Sequence, residues 1–384
     1  MQLVDNQYFA SCPVGFEEVL AEELTSRQVQ GIAVTRGGVH FNSKHEKAIE
    51  LMIWSRIASR VFRKILIFNA HSENDLYQSL NKIEWNKILR LDQSFSFKSI
   101  FTHSKKRKCF VKNSHFLNLK AKDSVCDLFM KKKSQRPNVE VKNPDYSFLL
   151  HIKANQKVDK VSLLVDMCGE PLSHRGYRSS GFQAPLRENL AAGLIKLAKW
   201  NPSEEDFVDG MCGSGTFLIE AMLIAKKIPP TDLRSDENWS FRAHLNTENG
   251  SVEKPIKENS PLLNSIQGFD IDSRAIRQSR IHLDSFKEQD VKLFQKDFFD
   301  IEWNDKPKLV LLNPPYGERM GKQEDLEDLY FQIGERFKNH APNTRFGIIC
   351  SDKKLLQKIR LKPHQKHEVF NGGLRSYFYL YQIY

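Results

Sequence analysis

Lys308-Leu309-Val310-Leu311-Leu312-Asn313-Pro314-Pro315-Tyr316-Gly317 runs an apolar stretch of strand length into an amide, two prolines, an aromatic ring and a glycine. A continuous apolar run bounded by turn residues reads as a strand buried on both faces, the kind found in parallel sheets. Two consecutive prolines cannot donate to a ladder, so the strand must end at Asn313. In an open α/β sheet, ligands bind beyond the C-terminal ends of the strands. There the Asn313 side-chain carbonyl and the Pro314 backbone carbonyl form two acceptors, with no proline N–H to compete. Such a pair suits a planar exocyclic NH2 group, whose lone pair it would aim at an electrophile. Tyr316 offers a flat face on which a heterocycle can stack. The competing reading is a Pro-Pro turn that only closes a strand, with Tyr316 as rim packing.

Upstream, Asp206-Phe207-Val208-Asp209-Gly210-Met211-Cys212-Gly213-Ser214-Gly215-Thr216-Phe217-Leu218-Ile219-Glu220-Ala221 reads as strand, glycine turn and helix. It approaches the dinucleotide fingerprint, but only Gly213 and Gly215 fit and the third glycine is missing. A dinucleotide would set its pyrophosphate at the helix N-terminus. Asp209, at the strand end, would repel phosphate and suit a cation with an amino-acid end. S-adenosylmethionine, with ammonium and sulfonium charges, meets that description; the plainer alternative is an ordinary βα turn. Residues 265–270 form a second strand ending in an acid, followed by Ile271-Asp272. Asp270 is the expected partner of a ribose diol. Residues 228–264 read as an insertion pinned by Trp239 and Phe241. A third strand at 291–294 leads into Lys296-Asp297-Phe298. Asp297 either accepts from an adenine amino group, with Phe298 against the ring, or caps a helix. A fifth strand at 344–350 and a hairpin, 367–370 with 374–384 around Asn371-Gly372-Gly373, complete an open, mostly parallel sheet.

The whole chain has 384 residues, enough for two or three domains. An apolar fraction of 40% and a mean hydropathy of −0.50 describe a globular chain. No apolar run approaches the ~18 residues of a membrane span. The start, MQLVDNQYFASC, has neither the basic nor the apolar region of a signal peptide. Six cysteines, Cys12, Cys109, Cys126, Cys168, Cys212 and Cys350, form no CxxC pair. The expectation is reduced thiols, no metal and a cytoplasmic location. The net charge is +11, and residues 98–160 hold 16 Lys or Arg against 5 Asp or Glu, a surplus as large as that of the whole chain. Such concentration is the footprint of a polyanion-binding segment, although a solvated lysine-rich face is the plainer account.

The first residues read as βαββαβ, a ferredoxin-like order. Its parts are a strand at 8–10, a helix bearing Phe16, Val19, Leu20 and Leu24, a strand pair around Arg36-Gly37, a helix at 44–59 and a strand at 61–68. The basic segment follows, with helices expected at 76–83, 84–89 and 115–130 and strands at 94–101, 148–153 and 160–166. Lys131, Lys132 and Lys133 close a helix, where cations also suit the dipole. Lys105, Lys106, Arg107 and Lys108 lie in a loop, which favours phosphate contact. Residues 171–183 read as a linker, in which Arg175 and Arg178 either touch RNA or orient the domains. Pro185 is expected at the first position of a helix running from 186 to 200.

APLRENLAAGLI, DGMCGSGTFLIEA, GFDID, KDFF and NPPYGERMG, in this order, resemble the class I S-adenosylmethionine-dependent RNA methyltransferases that carry a THUMP domain. GGVHF, LMIWSRIASR, DLY, RPNV and HRGYR extend the likeness upstream, so that it covers nearly the whole chain. Within the family it is most similar to the N-terminal half of the bacterial 23S rRNA guanine-N2-methyltransferases. The resemblance implies an α/β Rossmann-like methyltransferase domain with a C-terminal antiparallel hairpin, preceded by ferredoxin-like and THUMP α+β RNA-binding modules. It divides the chain into 1–70 (ferredoxin-like), 71–168 (THUMP), 169–184 (linker) and 185–384 (methyltransferase). Carried over, Pro185, Glu188, Asp209, Cys212, Gly213, Gly215, Thr216, Asp270, Ile271, Asp297, Phe298 and Asn313 hold the cofactor. Asn313, Pro314, Pro315 and Tyr316 take the target amine. Lys105 to Lys108, Lys131 to Lys133, Arg136, Arg175 and Arg178 meet RNA. The expected reaction is methylation of a guanosine N2 amine in 23S rRNA, free or in a large-subunit assembly intermediate, by a monomer. The target base must leave its stack to react. Adenine N6 methylation of DNA or RNA, and a non-catalytic RNA-binding assembly factor, are the alternatives. Gly210 stands where the family usually has proline, which is expected to loosen the turn. With one catalytic domain in the chain, a second modification is not expected.

Overall fold

A computed structural model describes the chain apart from residues 1, 4–5, 105–106, 112, 156, 179–185, 236–238, 242–259, 317–322, 342 and 384. The N-terminal half runs β1 (Gln2–Leu3), β2 (Gln7–Ser11), α1 (Glu17–Ser26), β3 (Gln30–Thr35), β4 (Gly38–Asn42), α2 (His45–Trp54) and β5 (Arg60–Ala70). It continues with α3 (Glu73–Leu80), β6 (Phe95–Thr102), α4 (Ser114–Lys133), β7 (Tyr146–Lys153) and β8 (Asp159–Asp166). These strands make one sheet ordered β3-β4-β2-β5-β8-β7-β6, with β1 also paired to β5. The first four strands have ferredoxin-like order. The long β5 joins them to the THUMP strands, because residues 60–63 pair with β2 while 62–70 pair with β8. The two N-terminal modules therefore share a sheet.

The C-terminal half contains α5 (Glu188–Leu197), β9 (Asp206–Asp209), α6 (Thr216–Ala225), β10 (Ile266–Asp270), β11 (Lys292–Gln295), β12 (Lys308–Leu312), β13 (Thr344–Cys350), β14 (Gln365–Asn371) and β15 (Leu374–Gln382). Further helices cover Ser273–Asp284, Gln323–His340 and Lys353–Lys358. The sheet order is β11-β10-β9-β12-β13-β15-β14, parallel except for β15, which runs antiparallel to both β13 and β14. This is the Rossmann-like arrangement of a class I methyltransferase. β9 lies between β10 and β12, so the strand order reverses there and a crevice opens at the strand ends. β12 is buried throughout, as its apolar run requires.

One hydrophobic cluster holds α1, α2 and the inner face of the ferredoxin-like strands together with α5, α6, Phe207, Leu309 and Leu311 of the methyltransferase half. The THUMP helices and strands have a separate core around Trp85, Phe97, Phe129 and Phe148. The far face of the methyltransferase sheet makes a third core. At Gly193, a Cβ would stand 2.4 Å from Phe16 Cε1, so α5 needs a glycine to approach α1.

Several local expectations are corrected. Residues 84–89 make only a 3-10 turn at Trp85–Lys87, whose tryptophan is fully buried. The second helix ends at Trp54. Ser55 and Arg56 then turn inward, where the Ser55 hydroxyl and the Arg56 N–H donate to Glu23. α5 begins at Glu188 with Arg187 as its N-cap, so position N1 is not Pro185, which lies outside the described residues.

The stretch read as a linker is built into the seam between the halves. Arg175 is 1% exposed and pairs with Glu220 at 3.1 Å. It also donates to the carbonyls of Leu172 (2.8 Å) and Arg56 (2.8 Å). Arg56 donates to the carbonyls of Leu223 and Ile228, and Arg234 to those of Cys168, Glu170 and Pro171. Phe241, buried as expected, donates its N–H to the Met167 carbonyl. The assignment of Arg175 to RNA contact is thus overturned: its guanidinium orients the two halves.

Candidate active site

The ends of β9, β10 and β12 converge because Asp209 pairs with Gly268 on one side and with Leu311 on the other. The Gly210 N–H donates to the Leu311 carbonyl at 3.3 Å, which sets the glycine turn beside Asn313. A Cβ on Gly210 would stand 2.7 Å from both Leu312 Cδ2 and Phe298 Cδ2. The glycine therefore fits a tight approach, and the expected loosening of this turn is corrected. Phe298, only 3% exposed, fills that space inside the core with Phe299, Trp303 and Phe337 around it. Its ring underlies the turn, so an open face for adenine is not what Phe298 presents.

Gly213 and Gly215 adopt φ of +53° and +81°, where side chains with a Cβ are disfavoured. A Cβ on Gly215 would meet Ser279 Oγ at 2.9 Å. The loop is held from the helix Ser273–Asp284: Ser279 Oγ donates to the Gly213 carbonyl at 2.8 Å, and His282 Nδ1 lies 2.9 Å from the Ser214 carbonyl. Burial lowers the His282 pKa, and the neutral ring can still donate through Nδ1. Tyr177 packs edge-on against that imidazole. Sequence reading missed Ser279 and His282. Their signal is slight: two polar residues three apart, on the face their helix buries.

Asp270 spends one lone pair of each carboxylate oxygen on the loop. Oδ2 accepts from Gly213 N at 2.8 Å and Oδ1 from Asp272 N at 2.9 Å. The remaining lone pairs suit a vicinal diol. Ile271 beside it is 69% exposed, an apolar face at the crevice rim. Asp297 caps the 3-10 turn Phe298–Asp300 by accepting from Phe299 N at 2.9 Å, so the capping reading holds and its second oxygen remains for a ligand.

Asp209 is 1% exposed, and burial pushes its carboxyl pKa well above the usual carboxylate range. Only a long 3.4 Å bond from Met211 N supports it, and no cationic side chain pairs with it among the described residues. A buried acid without a counter-ion suits a cationic ligand. Cys212 is buried beside it, and its thiol pKa is raised by burial and by both acids. Glu188 is buried under the same loop, where Arg178 Nε pairs with it at 2.8 Å. Arg178 also donates to the Leu186 carbonyl and to Thr216 Oγ1 at 3.0 Å. That guanidinium is spent at the N-terminus of α6, which corrects its assignment to RNA.

Asn313 is half-buried, and its buried Oδ1 has no hydrogen-bond partner among the described residues. Pro314 is buried; Pro315 and Tyr316 are half-buried at the crevice. Burial raises the Tyr316 pKa, opposed by a hydrogen bond with Asn371 of the terminal hairpin. Gly317 lies outside the described residues. The residues present fit S-adenosylmethionine: a bare acid for its charged end, a diol acceptor, an apolar rim and a tight glycine loop.

The expected RNA contacts fare unevenly. Lys105 and Lys106 lie outside the described residues. Arg107 is ion-paired with the buried Asp159 and donates to the Asn155 carbonyl. Lys108, Lys131, Lys132, Lys133 and Arg136 are exposed. Lys132 reaches Asn86 Oδ1 at 3.2 Å, and Lys133 lies over the Phe129 ring. No group of His, Cys, Asp or Glu among the described residues could hold a metal, and no helix there is long and apolar enough to cross a membrane.

Comparison with known proteins agrees with this fold. A family model described as an RlmL ferredoxin-like domain matches residues 7–62, and a THUMP model matches 70–157. The chain is 33% identical over 390 residues to a ribosomal RNA large subunit methyltransferase K/L of Allochromatium vinosum, covering 99% of this chain and 52% of that protein. The protein of the same name from Cellvibrio japonicus is 32% identical over 398 residues, with 98% and 51% covered. The chain thus spans about half the length of these relatives. A solved putative methyltransferase, SMU.472, complexed with SAH, superposes with a TM-score of 0.80 at 26% identity, over 100% of this chain and 99% of that one. Residues 175–378, more than half of the chain, match the RMKL-like methyltransferase domain, and the chain belongs to that family of class I methyltransferases.

Proposed function

We propose that this chain transfers a methyl group from S-adenosylmethionine to the exocyclic N2 amine of a guanosine in large-subunit ribosomal RNA. The observation that carries the reading is the buried Asn313 Oδ1, without a hydrogen-bond partner among the described residues, beside the glycine turn. A buried acceptor left unsatisfied costs about 1–3 kcal/mol, a cost that a substrate N–H removes on binding. Two further supports are the SAH in the solved relative and the ribosomal RNA methyltransferases among the curated ones.

S-adenosylmethionine, when bound, supplies an electrophilic methyl on a sulfonium. Asp209 offsets the positive charge at its amino-acid end, Asp270 accepts from the ribose diol, and Ile271 covers apolar surface. The extruded base stacks on Tyr316. Asn313 Oδ1 and the Pro314 carbonyl accept the two amine hydrogens, which directs the nitrogen lone pair along the line of attack. No strong general base is required, since the proton leaves after transfer to these carbonyls or to water. Alignment and fixed dipoles supply the acceleration. Lys108, Lys131, Lys132, Lys133 and Arg136 are the exposed cations of the original set available to phosphate.

The test is to methylate large-subunit rRNA with labelled donor and digest the product to nucleosides. N2-methylguanosine is expected. N6-methyladenosine would move the reading to adenine, and no transfer, with no binding of S-adenosylmethionine, would leave an RNA-binding protein without this chemistry.

A further inference from the structure

The THUMP helices cover one face of the strands β5, β8, β7 and β6. On the opposite face, cross-strand register sets Lys153 against Lys160 and against Thr102, and Lys98 against Leu149. A register shift between Lys64 and Leu66 brings Lys64 to this face, beside Leu164. His151 joins the row through a 2.8 Å hydrogen bond between its Nε2 and Thr102 Oγ1. Lys98, Lys153, Lys160 and Thr102 are exposed, and Ile100 between them is 48% exposed.

Like charges directly opposite in an antiparallel pair are destabilising. Within the sheet the offset is slight: Asp166, the acid that feels Lys98, is already ion-paired with Arg60. The four strands carry two acids, Asp159 and Asp166, which are ion-paired with Arg107 and Arg60 respectively. None of Lys64, Lys98, Lys153 or Lys160 makes an ion pair among the described residues. The repulsion registers on the groups nearby: His40 is pushed down to about 4 by burial and then by Lys64, His151, Lys153 and Lys160. Burial and Lys160 also lower Lys64. A face that concentrates cations without ion pairs on a rigid sheet, with an apolar residue among them, complements a polyanion.

We infer that the exposed part of this face, through Lys98, Lys153 and Lys160, holds the phosphate backbone of the RNA substrate at a distance from the reacting base. The inference rests on the RNA reading above and adds a sheet face to the exposed cations named there.

Fluorescence anisotropy of the full chain with a transcribed domain of large-subunit rRNA tests it across a salt series. The triple variant Lys98→Gln, Lys153→Gln, Lys160→Gln is expected to lower the slope of log affinity against log salt by about 0.7–0.9 per lost phosphate contact. At 0.15 M salt, affinity should fall about fivefold per contact. Unchanged SAH binding by calorimetry reports an intact fold; should the triple variant melt early, Lys160→Gln alone is expected to lower the slope by about one. A wild-type slope that persists in the variants overturns the surface. Salt-independent or absent RNA binding by the wild type overturns the RNA reading itself.

Discussion

At the ends of β9 and β12, polar groups are buried singly and, among the described residues, left waiting: Asp209 without a cation, Asn313 Oδ1 without a donor. On the open face of β5 to β8, cations instead stand together in water, on strands without a free acid. The first region discriminates through desolvation, where one missing contact is costly. The second attracts through summed charge, where each contact is small and screened by salt. On the proposed reading, catalytic geometry and substrate capture sit on different sheets, joined by a seam of arginines that belongs to neither.

The largest effect is expected at that seam. Arg175→Ala leaves Glu220 buried and unpaired, a loss of about 3–5 kcal/mol in stability that urea unfolding would read. A normal melt with weakened RNA binding would break the comparison by returning Arg175 to the RNA surface. Asn313→Ala should slow single-turnover methylation by about two to three orders of magnitude, the cost of one preorganised polar contact at a reacting group. Calorimetry should find donor binding unchanged; a rate equal to the wild type would remove Asn313 from the chemistry. Asp270→Ala is expected to weaken SAH binding roughly tenfold to a hundredfold, since hydrogen bonds to a charged group contribute about 1.5–3 kcal/mol.

The smallest effect sharpens the role of Asp209. Its folded pKa is raised, so the stability it contributes is complete below the unfolded carboxylate range and is lost as pH rises through the folded value. Asp209→Asn should therefore raise the melting temperature of the ligand-free protein by a few degrees near neutral pH and leave it unchanged near pH 4, by the order of ~1 kcal/mol per few degrees. In the wild type, affinity for S-adenosylmethionine should rise with pH across the same interval. A melting difference that is the same at both pH values would mean that burial does not perturb this acid.

Much of the active corner was legible because its parts are contiguous. An apolar run followed by Asn-Pro-Pro-Tyr can end only one way, and Gly213 and Gly215 proved to need positive φ. Gly210 was misread because its reason, the ring of Phe298, lies on another strand's loop. Phe298 was misread for the same cause seen from the other side. Ser279 and His282 were missed because a helix reveals which polar residues face inward only once its neighbour is known. Among the cations, the contiguous runs drew the eye, yet Arg107 and Arg175 are spent on buried acids.

By itself the sequence determined most of the strands, the one that stops at Asn313 and the carboxylates at the strand ends, since propensity, periodicity and proline act over a few neighbouring residues. Only the tertiary structure decided that the ferredoxin-like helices share a core with the methyltransferase half, which guanidiniums are buried, and that Lys98, Lys153 and Lys160 meet on one face. Those outcomes depend on strand register and on which acid each cation can reach, and both are set by contacts between residues far apart in the chain.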